Sequence, residues 1–169
     1  SVPVAPATAA PTDAPATAAP TPAPQTKFTF TGDMKASNEV PPVTNAEAAG
    51  TGKGTFTLDL TRDSAGKITA AKGTLAVTLS GFPATVTPIN GFHIHNAAAG
   101  VNAGVVVNSG IAAAAPVQFT SGSATITKAD ITVDPALAEL IIANPAGYYF
   151  NAHTTLNPGG AVRAQLVKS

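Results

Sequence analysis

The chain has 169 residues, no cysteine, and nine basic side chains against nine acidic ones, so its formal net charge is zero. That balance excludes the basic surface on which nucleic-acid binding depends. The missing thiols exclude disulfides, thiol catalysis and thiolate metal ligation, and the apolar runs are far too short to span a membrane as a helix.

Residues 1–26 are almost wholly Ala, Pro and Thr, with Asp13 the only charge. Such a segment cannot bury enough apolar surface to offset its ordering entropy. Its prolines favour extended, semi-stiff conformations. It reads as an Ala/Pro/Thr-rich leader or linker, on which a protein partner could dock, ahead of a single domain over 27–169. The opening Ser-Val-Pro is what a mature exported protein would show after signal removal, so the expected location is periplasmic or extracellular.

The domain reads as all-β. Phe28 and Phe30 alternate with Thr29 and Thr31; Phe56, Leu58 and Leu60 alternate with Thr57 and Asp59; Leu75, Val77 and Leu79 alternate with Ala76 and Thr78. A period of two marks half-buried strands. Arg62 to Lys67 is a turn. Further strands are expected at Val105–Val107, over Val117–Thr127 with an interruption at Gly122, at Tyr148–His153 and over Ala161–Val167. One short helix is expected after Asp134: Asp134 caps it, Pro135 fits the first helical position, Leu137, Leu140 and Ile141 form its apolar stripe, and Asn144-Pro145 ends it. Short strands, turns and one helix make an antiparallel, Greek-key-like β-sandwich.

The chemistry is concentrated in the histidines. There are three, at His93 and His95 in Gly-Phe-His-Ile-His and at His153 in Asn-Ala-His-Thr-Thr. In a strand, residues two apart share a face, so His93 and His95 project side by side. His153 completes a three-imidazole metal site if its strand lies nearby. Imidazole suits copper, zinc, iron and nickel; copper(II) leads on intrinsic affinity, and zinc with an open fourth position is the runner-up. The competing expectation is three histidines satisfied by hydrogen bonds in a polar core. Tyr149 and Asn151 share the face of His153 and are expected behind it as supporting groups. Glu39 and Arg163 are expected to form a structural ion pair between the first and last segments. Met34 is expected in the core.

Other motifs carry no chemistry. In Gly-Thr-Gly-Lys-Gly-Thr (50–55) the lysine is followed by glycine and then by an alternating strand, which is not a phosphate loop. No nucleophile elbow is present, and carboxylates are too sparse for an acid/base pair. No catalytic residue is assigned, and a non-enzymatic protein is expected.

Ser37-Asn38-Glu39-Val40-Pro41-Pro42-Val43, the Gly-Phe-His-Ile-His segment with Asn102-Ala103-Gly104-Val105-Val106-Val107, Tyr149-Phe150-Asn151-Ala152-His153-Thr154, and Asn157-Pro158-Gly159-Gly160-Ala161-Val162-Arg163-Ala164-Gln165-Leu166 occur in that order. Together they resemble the CHRD domain, a module named from chordin and widespread in exported bacterial proteins. The resemblance spans roughly Phe28 to Val167 and departs at Ala164, where the family usually has Gly. It implies a sandwich and leaves the activity open. The His-X-His segment is also similar to the copper strand of Cu/Zn superoxide dismutase, but a fourth copper histidine, the zinc histidines and the disulfide cysteines are missing. The expected function is therefore metal binding by an exported protein. A non-catalytic accessory subunit of an envelope or extracellular assembly and a dismutase-like copper redox enzyme are the alternatives.

Overall fold

The structure, a computed structural model, describes residues 23–84 and 88–169. All but the last four residues of the expected leader lie outside this range.

The alternating segments form strands β1 (Lys27–Lys35), β2 (Thr51–Arg62) and β3 (Ile68–Ser80). They pair antiparallel in sequence order, with Phe30 opposite Phe56 and Phe56 opposite Leu75. The turn between β2 and β3 is held by Asp63, whose carboxylate accepts from the Ala65 and Lys67 amides. Beyond it follow β4 (Ile89–His95), β5 (Val105–Asn108), β6 (Ala124–Val133), helix α1 (Pro135–Ala143), β7 (Tyr149–Thr154), β8 (Val162–Gln165) and β9 (Val167–Lys168).

All nine strands belong to one antiparallel sheet in the order β5-β4-β7-β8-β1-β2-β3-β6, with β9 beside β1. The sheet folds over as a nearly closed sandwich, so strands that share no ladder meet across the core. A Cβ on Gly54 of β2 would lie 2.8 Å from the Phe150 ring of β7, although the two strands are not ladder neighbours. Phe30, Phe56, Phe92, Phe150, Leu58 and Leu75 are fully buried between the faces. Each such side chain contributes about 1.5–3 kcal/mol on burial. Met34 is in this core, as its strand position predicts.

Three expectations change in detail. The Val117–Ser123 segment makes only isolated bridges, Ile89 to Val117 and Thr120 to Ser123, and the strand begins at Ala124 and continues to Val133. Positive-φ Ser121 and Gly122 turn the chain there, at the interruption the sequence marks. The last strand is divided into β8 and β9. Helix α1 is capped by Asp134, which accepts from the Ala136 and Leu137 amides, but it buries Ala138 and Ile141 while Leu140 is 58% exposed. With only nine residues the helix presents little more than one packed row.

Candidate metal centre

Strand β4 pairs with β7 across more than fifty residues of intervening chain. In that ladder Gly91 stands opposite His153, His93 opposite Asn151, and His95 opposite Tyr149. Partners in a ladder share a face, so the three histidines converge. One ring nitrogen from each lies within 4.8 Å of the other two. The ring centroids are 5.0 Å apart for His93–His153, 5.6 Å for His95–His153 and 5.8 Å for His93–His95. The Gly91 position leaves room for them: a Cβ there would lie 2.7 Å from His93 Cε1 and 3.2 Å from His153 Cδ2.

Two of the rings are oriented by backbone. His95 Nδ1 donates to the Ala103 carbonyl at 2.8 Å, and His153 Nδ1 donates to the Pro158 carbonyl at 3.0 Å. A carbonyl can only accept, so in each neutral ring the proton is on Nδ1 and the lone pair on Nε2. His95 Nε2, His153 Nε2 and His93 Nδ1 are buried without a hydrogen-bond partner. Buried polar atoms are ordinarily satisfied, and exceptions point to a function or an absent ion. Three orphaned imidazole nitrogens in one cluster are therefore the main departure of this domain from an ordinary core. His95 and His153 are 7% and 9% exposed, and His93 is half-buried, so the cluster meets solvent on the His93 side.

Burial holds all three rings in the neutral form that ligates metal. Burial lowers the pKa of His93 to about 4, assisted by repulsion from His153 and His95. Burial likewise brings His153 to about 4, against the opposing Pro158 bond and with the help of His95. His95 is lowered chiefly by burial, which outweighs its Ala103 bond, and further by the charge on Arg163.

The supporting groups differ from the sequence expectation. Tyr149 stands behind His95, not His153: the two rings stack 4.8 Å apart at 9°, and the Tyr149 hydroxyl accepts from the Ala103 amide. Ala103 is thus held by the tyrosine on one side and orients His95 on the other. Asn151 donates to the Glu39 carboxyl at 2.8 Å. Thr154 donates to Glu47, which also accepts from Asn157, and these bonds fix the turn that brings Pro158 to His153.

Glu39 and Arg163 do not form the expected direct ion pair. The Arg163 guanidinium donates to the Ala98 and Val101 carbonyls, Asn102 Oδ1 and Gln165 Oε1, and lies 3.4 Å over the Tyr149 ring. Glu39 is buried, and burial pushes its carboxyl up to about 7 despite the Asn151 bond and the Arg163 charge. The 96–102 loop satisfies the cation with neutral oxygens, which sequence separation could not foretell. Tyr148, Tyr149 and Phe150 are all buried, so they form no exposed binding surface.

The CHRD domain sequence profile matches residues 30–166, which run from within β1 through β8 and contain the whole histidine cluster. The chain belongs to the CHRD domain family. No curated protein and no solved structure matches it. In this CHRD domain the match covers most of the sheet, and the Gly-Phe-His-Ile-His and Asn-Ala-His segments lie on the two ladder partners that build the cluster. Among the described residues no helix is long and apolar enough to cross a membrane.

Proposed function

We propose that this CHRD domain binds a single metal ion, copper in preference to zinc, through His93, His95 and His153. The observation that carries the reading is the set of three orphaned, buried imidazole nitrogens in one cluster. A structural polar core would have satisfied them. Tetrahedral metal–nitrogen bonds of about 2.0–2.1 Å place ligand nitrogens roughly 3.4 Å apart, so binding draws the rings together from their present spacing. Carbonyl partners on the far nitrogens of His95 and His153 are the support that metal-binding histidines commonly have. Copper is favoured because it tops the affinity series for nitrogen donors. Three protein ligands with a solvent-facing side leave a coordination position open, which suits binding and release more than a closed structural ion. Membership of a family found typically in secreted proteins supports an exported location for this activity.

The test is a copper(II) titration of the metal-free protein, read by calorimetry and electron paramagnetic resonance, beside His153→Ala. One-to-one binding with a nitrogen-rich spectrum, lost in the variant, is expected. Weak binding that the substitution leaves unchanged would return the histidines to a structural role.

A further inference from the structure

We propose that the site is built for the monovalent state of copper, favouring copper(I) over copper(II) more strongly than imidazole ligation alone does, with Arg163 as the positioning residue that sets this preference. The inference rests on the three-histidine reading above and concerns which ion the site takes.

The ligand set is made of neutral groups. His93, His95 and His153 contribute lone pairs and no charge, and no carboxylate belongs to the cluster among the described residues. A buried cation, Arg163, stands one aromatic ring behind His95. Arg163 is 1% exposed, and it meets two backbone carbonyls, two side-chain amide oxygens and a tyrosine face. The ion pairs Lys27–Asp59 and Lys53–Asp33 are exposed. The buried carboxyl of Glu39 accepts from Asn151, and that of Glu47 from Thr154 and Asn157.

Tyr149 connects the cation to the cluster. It lies on β7 between β4, which carries His95, and β8, which carries Arg163. Its ring is 4.8 Å from the His95 ring and 3.4 Å from Arg163 Cζ. A rigid cation therefore stands one aromatic ring behind a metal ligand, in a medium that screens charge far less than water. The cost of placing an ion in such a site grows steeply with its charge. A divalent ion meets about twice the repulsion from Arg163 that a monovalent ion meets, and no anionic ligand offsets it. Few protein ligands are also what copper(I) tolerates and what leaves a divalent ion dependent on solvent through the His93 side.

The experiment compares the two oxidation states on the same protein. Copper(I) affinity is measured anaerobically by competition with a chromophoric copper(I) chelator, and copper(II) affinity by calorimetry. The wild-type midpoint potential is measured against copper in imidazole solution. The expected result is a copper(I) preference at least tenfold greater than in imidazole solution, equivalent to a potential at least 59 mV higher. Arg163→Met is expected to lower that preference by roughly tenfold, chiefly by strengthening copper(II) binding, and Arg163→Lys, which keeps the charge, is expected to retain more of it. The wild-type comparison stands even if Arg163→Met does not fold. A wild-type potential at or below that of copper in imidazole, or a folded Arg163→Met with unchanged preference, would overturn the inference while leaving the metal site in place. Binding of neither oxidation state would overturn the inference and the three-histidine reading together.

Discussion

Gly91 stands directly across the β4–β7 ladder from His153, and the space a side chain would need there is occupied by imidazole. A Cβ on Gly91 would meet His93 Cε1 at 2.7 Å and His153 Cδ2 at 3.2 Å. The missing side chain is what lets two histidines on different strands approach one another.

Gly91→Ala should therefore damage the site more than the fold. The atoms in the way are the far edges of two rings, which can swing aside at modest cost, about 1–3 kcal/mol for overpacking of this kind. The same swing separates the ligand nitrogens. Metal affinity is expected to fall by at least an order of magnitude while denaturant unfolding of the metal-free protein shows only that small loss. Wild-type affinity in a folded Gly91→Ala protein would show that the glycine has no part in the cluster.

The pH dependence of stability follows from two opposing sets of groups. His93 and His153 have folded pKa values of about 4, below the ordinary 6.5. Between those values the unfolded chain binds protons that the folded one does not, so the metal-free protein gains stability as pH rises from about 4 to 6.5. Glu39, raised to about 7 from 4.5, acts in the opposite sense. Its contribution is fully present below pH 4.5 and is lost as pH rises through 7. Where the windows overlap the histidines outnumber it, so stability should climb to about pH 7 and then level off. Glu39→Gln should steepen that climb between about pH 4.5 and 7, because it removes the opposing carboxyl while glutamine keeps the acceptor for Asn151 and adds a donor for the unpartnered Asn151 Oδ1. Thermal melts of metal-free wild type and Glu39→Gln between pH 4.5 and 8 check this; parallel profiles would contradict it.

Metal affinity should be flatter with pH than ordinary histidines would make it. With His93 and His153 neutral down to about pH 4, protons do not compete for those two ligands at pH 5.5. Zinc titrations at pH 7 and pH 5.5 should give affinities that differ by much less than the roughly thousandfold change expected if three histidines of pKa 6.5 each had to lose a proton. A fall of that full size would contradict the buried, neutral cluster.

Glu47 is the buried group on which the Pro158 turn depends. Its carboxyl accepts from Thr154 Oγ1 at 2.7 Å and from Asn157 Nδ2 at 2.6 Å. Glu47→Ala leaves both donors without it and should cost about 2–4 kcal/mol in denaturant unfolding. Because Pro158 orients His153, metal affinity should drop as well. A folded variant with intact affinity would separate this turn from the site.

Much of this was legible in the sequence because strand periodicity is short-range. The spacing of His93 and His95 places them on one face whatever β4 pairs with, and the Phe and Leu alternation of β1 to β3 leaves one inner side. The β4–β7 ladder was not legible, since nothing local to Gly-Phe-His-Ile-His names its partner strand, and the site stood on the condition that the strand of His153 lies nearby. The role of Gly91 was not legible, because it depends on what lies opposite. The same is true of Arg163: its length and charge pointed to Glu39, but backbone carbonyls of the 96–102 loop take the guanidinium, and loop carbonyls leave no trace in side-chain chemistry. Leu140 was assigned to a stripe by spacing alone, whereas the angle at which α1 meets the sheet selects Ala138 and Ile141.

The central claim is that three imidazoles from β4 and β7 hold one ion. X-ray absorption of the protein loaded with one equivalent of copper tests it most directly, since imidazole rings bound to copper give characteristic outer-shell scattering. The account predicts three imidazole ligands in the wild type and two or fewer, with weakened retention, in His153→Ala. One imidazole or none in the wild type, or an identical spectrum in the variant, would contradict it.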